Sequence, residues 1–128
     1  GGTTADPGTT RSDGARHAAA ALVARGTPGA RLVIVAGGGI LDAEEGGLRQ
    51  ERATFPAVFR LVSAEHRRAW EAVRDGPLAW TCVCTGDIVP GERTGVYRAL
   101  ADAMPEGGRR ISCEDVADFL LAELRTGR

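Results

Sequence analysis

The segment LAWTCVCTGDIVPGERTGVY (residues 78–97) decides the fold of this chain. Its first part, residues 78–84, is a short apolar run rich in aromatic and β-favouring residues, which predicts a buried strand. The run stops at Thr85-Gly86-Asp87 and is followed by a Pro-Gly turn. In open α/β sheets, ligands bind beyond the carboxyl ends of the parallel strands. We therefore expect the loop at residues 85–87 to border a functional cleft.

Two preceding segments predict the framework around this strand. Residues 32–36 (LVIVA) are apolar without alternation, which is typical of a strand covered on both faces of a parallel sheet. From Pro56 the pattern is helical, and it places His66 on the apolar face of the helix. A strand, a helix and a strand joined in this order form a right-handed parallel crossover. The predicted apolar positions of the helix are Phe59, Val62, His66, Ala69 and Val73.

Helices are also predicted near both ends of the chain. The first begins with Ser12 or Asp13 as its cap and ends at Gly26, and the second begins with the capping pair Ser112 and Asp115. Further short strands are expected at residues 94–100 and 109–111. The predicted buried positions are Ala15, Ala18, Ala19 and Leu22 in the first helix and Val116, Phe119, Leu120 and Leu124 in the second. The prediction is one α/β domain over residues 1–128.

Composition excludes several classes of function. The 128 residues carry 16 basic and 17 acidic side chains, and no run of like charges is longer than two residues, so we expect no nucleic-acid or anionic-membrane partner. The apolar runs are far shorter than the roughly 20 residues that span a bilayer. Cys82, Cys84 and Cys113 are an odd number of cysteines, which argues against a disulfide framework and favours the cytoplasm. Without further ligands at metal-binding spacing they are predicted to be structural thiols, and no metal site is expected.

Several stretches, taken in order, resemble one known family: TTRSDGARHAAAALVARG (residues 9–26), LVIVAGGGILD (32–42), VSAEHRRAWEAVRDGPLAWTCV (62–83), PGERTGVYR (90–98) and RISCEDVADFLLAEL (110–124). They are similar to the C-terminal part of the atypical short-chain dehydrogenase/reductase family, in particular its flavin reductase and biliverdin-IXβ reductase branch. The resemblance implies a partial, three-layer Rossmann-like fold with NADPH or NADH as cofactor. The family's opening G-x-x-G-x-x-G turn is absent from this sequence, so the N-terminal dinucleotide-binding βαβ unit is expected to be missing.

The resemblance also implies candidate catalytic residues. His66 stands where related members place a lysine or histidine near the nicotinamide ribose. Val62 stands at the position of the family's catalytic tyrosine, which excludes Tyr-x-x-x-Lys chemistry. The alternative for His66 is a half-buried histidine satisfied by a backbone carbonyl. Asp87 is a candidate for proton relay and substrate contact, and its alternative is an aspartate that forms a turn with its own backbone.

Further residues are candidates for binding. Gly37, Gly38, Thr85 and Gly86 are predicted to border the nicotinamide of the cofactor, together with His66. Gly37 stands where some relatives place a substrate-binding serine. The alternative for the glycine run is a plain flexible turn. Tyr97 is a candidate for substrate binding, and its alternative is a core aromatic residue.

These observations leave competing hypotheses for function. The first is an NAD(P)H-dependent oxidoreductase, present here as a truncated form, that reduces a small planar acceptor of flavin, tetrapyrrole or quinone type. The alternative is a non-catalytic fragment or an oligomeric α/β binding module that cannot bind a dinucleotide alone. In that case the strand at Leu32 would present an unpaired edge for self-association. A third hypothesis is a small nucleotide-binding domain that uses residues 37–39.

Overall fold

The computed structural model describes residues 2–126. β1 pairs with β2 in parallel along its whole length, from Arg31 opposite Ala79 to Gly37 opposite Thr85, and β3 pairs in parallel with β4. Three single turns of 3-10 helix lie in the connection from β1 to α2, at Gly38–Ile40, Arg49–Glu51 and Ala57–Phe59. The helices and strands of this part of the chain are α1 (Thr10–Arg25), β1 (Arg31–Gly37), α2 (Arg60–Arg74), β2 (Ala79–Thr85), β3 (Asp87–Val89), β4 (Arg110–Ser112) and α3 (Cys113–Thr126).

The central crossover confirms the prediction from the sequence. β1 and β2 lie within a residue of the predicted strands, and α2 connects them. One face of the pair packs against α1 and α2, where Ala15, Ala69 and Val73 form a buried cluster. Leu32 and Ile34 of β1 and Trp80 of β2 pack on this cluster.

The opposite face of the β1–β2 pair is covered by α3. The hydroxyl of Thr81 accepts a hydrogen bond from the Arg31 guanidinium at 2.7 Å and donates one to the buried carboxylate of Glu123, in α3, at 3.4 Å. Helices therefore lie on both faces of the parallel strands. This arrangement confirms the predicted partial Rossmann-like fold in three layers.

Gly86 turns the chain from β2 directly into β3. A Cβ atom at Gly86 would lie 2.4 Å from the carbonyl oxygen of Arg109, which only glycine avoids. The same oxygen accepts the backbone N–H of Asp87 at 2.8 Å. The predicted loop at residues 85–87 is therefore a bend of one residue, because β3 resumes at once to pair with β4.

The segment after β3 differs from its prediction. The expected strand at residues 94–100 is wrong, since these residues join no strand. The carboxylate of Asp115 instead accepts the backbone N–H groups of Thr94 and Gly95, each at 2.9 Å, and the hydroxyl of Thr94 at 2.6 Å. The expected strand at 109–111 is confirmed as β4. The predicted cap of α3 is confirmed too, because the Ser112 hydroxyl accepts the Asp115 N–H at 3.1 Å.

A buried carboxylate joins α1 to α2. Glu65 has no exposed surface, and its Oε1 accepts the backbone N–H of Ser12 at 2.7 Å. Its Oε2 accepts the Arg68 guanidinium at 2.9 Å. Burial acts to raise the pKa of Glu65, but the bonds from Ser12 and Arg68 hold it below its usual value. Ser12 was predicted to cap α1, but the helix begins at Thr10 and the first-turn amide of Ser12 is capped by a residue of another helix.

The predicted buried stripes are only partly right. Val116 and Val73 are buried as expected, but Ala18, Phe59 and Leu124 are exposed. The sequence pattern missed the buried Ser63 and Glu65 of α2, because that helix contacts α1 as well as the sheet. Its covered surface is therefore wider than its apolar stripe.

We expect Glu65→Gln to lower the free energy of unfolding by about 1–3 kcal/mol, since the neutral amide weakens the bonds to Arg68 and to the positive end of α1. Urea unfolding measures this change. The matched control is Glu71→Gln, on the same helix, whose carboxylate pairs with the half-exposed Arg67. We expect that control to lose under about 1 kcal/mol. Equal losses in the two variants would show that the Glu65 contact does not hold α1 in place.

Candidate functional site

The candidate site lies at the carboxyl ends of β1 and β2. The last pair of the ladder is Gly37 opposite Thr85, so two residues predicted to bind cofactor lie side by side. Gly38 and Gly86 directly follow them in the chain. The position of a Cβ on Gly38 is 3.9 Å from the carbonyl oxygen of Thr85. The structure thus brings together two pairs of residues from distant parts of the sequence, Gly37 and Gly38 after β1 and Thr85 and Gly86 after β2.

His66 joins this group through the backbone. Its Nδ1 accepts the N–H of Gly37 at 2.9 Å, so the half-buried ring has a backbone partner as the alternative expected, but the partner is an amide and not a carbonyl. Burial lowers the pKa of His66, and the charge of Arg11 lowers it further, while Glu65 acts in the opposite direction. The ring is therefore neutral at neutral pH, with Nδ1 as acceptor and its proton on Nε2. His66 can donate a hydrogen bond from Nε2 but does not provide a permanent positive charge.

A cavity of about 500 Å³ runs along β2 next to these strand ends. Its volume is in the range of small-molecule sites. Aromatic rings contribute from four parts of the chain: Trp70 in α2, Trp80 in β2, Tyr97 in the segment after β3 and Phe119 in α3. Thr85 also lines the cavity and so connects it to the strand ends.

Tyr97 lines the cavity, and its hydroxyl is already bonded within the protein. The ring packs edge-on against Phe119 of α3, with centroids 5.9 Å apart. Its hydroxyl donates to the carboxylate of Asp118 at 3.0 Å. Burial and the neighbouring Asp118 raise the pKa of Tyr97. The substrate-binding role predicted for Tyr97 is therefore available through ring contacts.

Residues 2–126 match the model of the NAD(P)H-binding family. The chain belongs to this family. It also resembles the crystal structure of a Burkholderia pseudomallei protein whose name suggests export, with 32% sequence identity and a TM-score of 0.72. The match covers 91% of this chain and 60% of the solved chain, so the chain spans less than two thirds of that relative. No curated protein matches the sequence.

Membership of the NAD(P)H-binding family confirms the predicted cofactor class in general terms. The glycine run of this family member, however, does not resemble a phosphate-binding turn. Gly38–Ile40 is a single 3-10 turn and opens no helix whose N-terminus could receive a phosphate. A Cβ on Gly39 would lie 2.6 Å from the Ser63 hydroxyl, so internal packing explains that glycine. These observations disfavour the third hypothesis, of a nucleotide site at residues 37–39.

Asp87 lies apart from the cavity. It is the first residue of β3, its side chain is exposed, and it does not belong to the cavity lining. Of the residues at the strand ends, Thr85 lines the cavity, whereas Gly37 and His66, like Asp87, do not belong to its lining. Its catalytic and substrate-binding roles remain predictions from the resemblance.

The sequence did not single out Met104 or the segment around it. A Cβ on Gly38 would lie 2.6 Å from the Met104 methyl group, so this side chain covers the end of β1. Asp102 has a positive φ, of 60°, and its carbonyl accepts the N–H of Asp42 at 2.8 Å. This bond ties the segment to the connection after β1. No periodic pattern marks an irregular segment of this kind, although Met104 is the only methionine of the chain.

Within residues 2–126, no helix is both long and apolar enough to cross a membrane, and no three potential metal ligands cluster together.

Stability is expected to depend on His66 in mildly acidic solution. Protonation of Nδ1 breaks the bond to Gly37, and the unfolded chain takes up this proton more readily because the folded pKa is lowered. The contribution of His66 is therefore complete above its usual pKa of 6.5 and is lost as pH falls below it. In His66→Asn, the amide oxygen can replace Nδ1 as acceptor without titrating.

Urea unfolding from about pH 7.5 to about pH 5 compares the two proteins. We expect the free energy of unfolding of the wild type to fall more than that of His66→Asn over this range. The carboxylates with lowered pKa values, such as Asp115 and Glu65, titrate in both proteins and cancel in the difference. Parallel pH curves would contradict the assignment of the bond between His66 and Gly37.

Proposed function

We propose that this chain forms the nicotinamide-side and acceptor-side part of an NAD(P)H-dependent oxidoreductase that reduces a small planar acceptor, of flavin, tetrapyrrole or quinone type. The observation that carries the proposal is the meeting of Gly37, Thr85 and His66 at the carboxyl ends of two parallel strands, directly beside an aromatic cavity. This edge is where ligands bind in open α/β sheets. The three free thiols support a reducing, cytoplasmic setting for the same protein.

The residues at the strand ends fit the nicotinamide end of the cofactor. Gly37 and Gly38 carry no side chains, so a flat ring can approach their backbone closely. Nε2 of His66 offers a hydrogen-bond donor to a ribose hydroxyl or a carboxamide, held in place by the bond from Gly37 to Nδ1. The bound cofactor supplies the hydride, and the chain supplies its position. Met104 has to swing away from Gly38 for this approach.

The cavity fits the acceptor. Trp70, Trp80 and Tyr97 provide apolar ring surfaces for a planar conjugated molecule. The Thr85 hydroxyl already donates a hydrogen bond to the Gly86 carbonyl at 2.9 Å, so its proton is not free for the acceptor. Recognition in this proposal therefore depends on shape and stacking more than on hydrogen bonds.

Gly37→Val tests the cofactor position. Valine suits a strand, and the nearest atoms to a Cβ at Gly37 are those of the His66 ring, 4.0 Å away. We expect the fold to persist and NADPH binding, measured by fluorescence titration, to weaken at least about tenfold, or about 1.4 kcal/mol. NADPH oxidation with flavin mononucleotide, biliverdin and a quinone should fall in the same proportion.

The matched control is Gly14→Ala, at an exposed site in α1 where an added Cβ meets no atom within 4 Å. It should bind NADPH as the wild type does. Equal affinity of Gly37→Val and the wild type would place the cofactor elsewhere. A wild-type chain that binds no NADPH would show that the chain does not catalyse the reaction alone, and would favour the second candidate function described next.

The second candidate function is a non-catalytic fragment or an oligomeric binding module. The specific observation in its favour is the edge of β1, which within residues 2–126 pairs with β2 on one side alone. Val35, in the middle of this strand, is 43% exposed. An exposed apolar edge strand pairs readily with another chain. Self-association through β1 is therefore the structural expectation of this candidate.

Val35→Lys tests the association, because a charge on an edge strand opposes pairing with another strand. Sedimentation velocity over a dilution series should show concentration-dependent association of the wild type, shifted towards monomer in Val35→Lys. The matched control is Val58→Lys, at an exposed valine in the 3-10 turn ahead of α2, outside any strand. Association that is equal in all three proteins, or a wild type that is monomeric throughout, would reject the edge of β1 as the interface.

A further inference from the structure

Two thiols lie together on the wall of the cavity. Cys82 and Cys84 are two residues apart in β2, their side chains point to the same face, and their Sγ atoms are 3.9 Å apart. Both thiols are free, half-buried and part of the cavity lining. Within residues 2–126, no third potential metal ligand joins them, so the pair does not form a closed tetrahedral zinc site.

The strand keeps the two sulfur atoms close but not bonded. Alternate residues of a strand are roughly 6.6 Å apart at Cα, which is near the upper limit for a disulfide. The sulfur atoms would also have to move from 3.9 Å to about 2 Å, against the hydrogen-bonded ladder with β1. The pair is therefore poorly placed for a direct bond and well placed to share one atom between its sulfurs.

We propose that Cys82 and Cys84 form a dithiol site that binds a soft, thiophilic centre between the two sulfur atoms, of the class of monosubstituted trivalent arsenicals. In this reaction two S–H bonds and the bonds from arsenic to its oxygen break, and two As–S bonds form. The oxygen leaves as water with both thiol protons. Arsenic stays trivalent and neither sulfur is oxidised, so no oxidant or reductant is required.

The surroundings suit such a ligand. The cavity has room for the organic substituent of the arsenical, and Trp70 and Trp80, which also line it, give it apolar contacts. The hydrogen bond with Cys82 lowers the pKa of Cys84 while burial opposes this, and the same bond raises the pKa of Cys82. Either sulfur atom can be the donor in the contact between the two thiols, so either thiol can attack first and the other then closes the chelate.

Phenylarsine oxide is the probe for this site, and intact-protein mass spectrometry is the readout. We expect one phenylarsenic group per chain, with loss of one water. A chelate on two thiols should survive a large excess of glutathione, a monothiol, and should be removed by 2,3-dimercaptopropanol. Tryptophan fluorescence should change at the same molar ratio, because Trp80 lies beside the pair in β2.

Single substitutions separate the dithiol from ordinary cysteine reactivity. Cys82→Ser and Cys84→Ser should each lose the resistance to glutathione, with at least a tenfold rise in the phenylarsine oxide needed for half labelling. Cys113→Ser removes the exposed thiol of α3 and should behave like the wild type. Circular dichroism and urea unfolding confirm that each variant is folded before it is compared.

Three results would overturn the proposal. They are an adduct that glutathione removes from the wild type, an adduct that persists with full resistance in the Cys82→Ser or Cys84→Ser variant, and an adduct that is located at Cys113. Treatment of the wild type with hydrogen peroxide gives an independent check, because rapid loss of two hydrogens from the pair would show a direct disulfide and contradict the bridging geometry. The outcome does not depend on whether the chain binds NADPH.

Discussion

The parallel ladder between β1 and β2 is the constraint on which the other features depend. Parallel strands of this kind are covered on both faces, and here α1 and α2 cover one face while α3 covers the other. The same ladder aligns the carboxyl ends of the strands, which sets Gly37 beside Thr85. His66 then reaches Gly37 because α2 begins after the β1 end and returns across the sheet. The β1–α2–β2 crossover therefore brings the residues of the candidate site together.

The position of α1 indicates what could pair with the open edge of β1. α1 precedes β1 and packs on the same face as α2, where the buried Glu65 fixes it through Ser12. A right-handed crossover that passed through α1 into β1 would have to start from a strand at the open edge of β1. The solved relative is longer than this chain, with 60% of its length matched. The open edge of β1 is therefore suited to receive a parallel strand. The exposure of Val35 is compatible with the family fold for this reason.

The parts of the fold that could be predicted from the sequence are those with a repeating pattern. The apolar runs of β1 and β2 carried enough information to place Gly37 and Thr85 at the same edge of the sheet. The helical spacing put His66 on the apolar face of α2, and the family resemblance implied its position near the other two. Glu65 carried no such signal, because its partner amide lies 53 residues away and a glutamate in a helix next to His66 is ordinarily solvated. β3 was missed because a three-residue strand shows no periodicity, and its pairing depends on the close approach of Gly86 to Arg109. Tertiary contacts alone decide such features.

The hydrogen bonds inside the cavity bear on the kind of acceptor that the proposed reductase would take. Hydride transfer leaves an anion that needs a proton unless its charge is delocalised. The hydroxyl proton of Tyr97 is held by Asp118, and His66 is neutral and does not line the cavity. Neither of these two groups is a ready acid towards the cavity. Flavins, tetrapyrroles and quinones spread the negative charge over a conjugated system and can take their proton from water, so the arrangement of these side chains agrees with that acceptor class better than with a simple ketone, which requires a positioned acid.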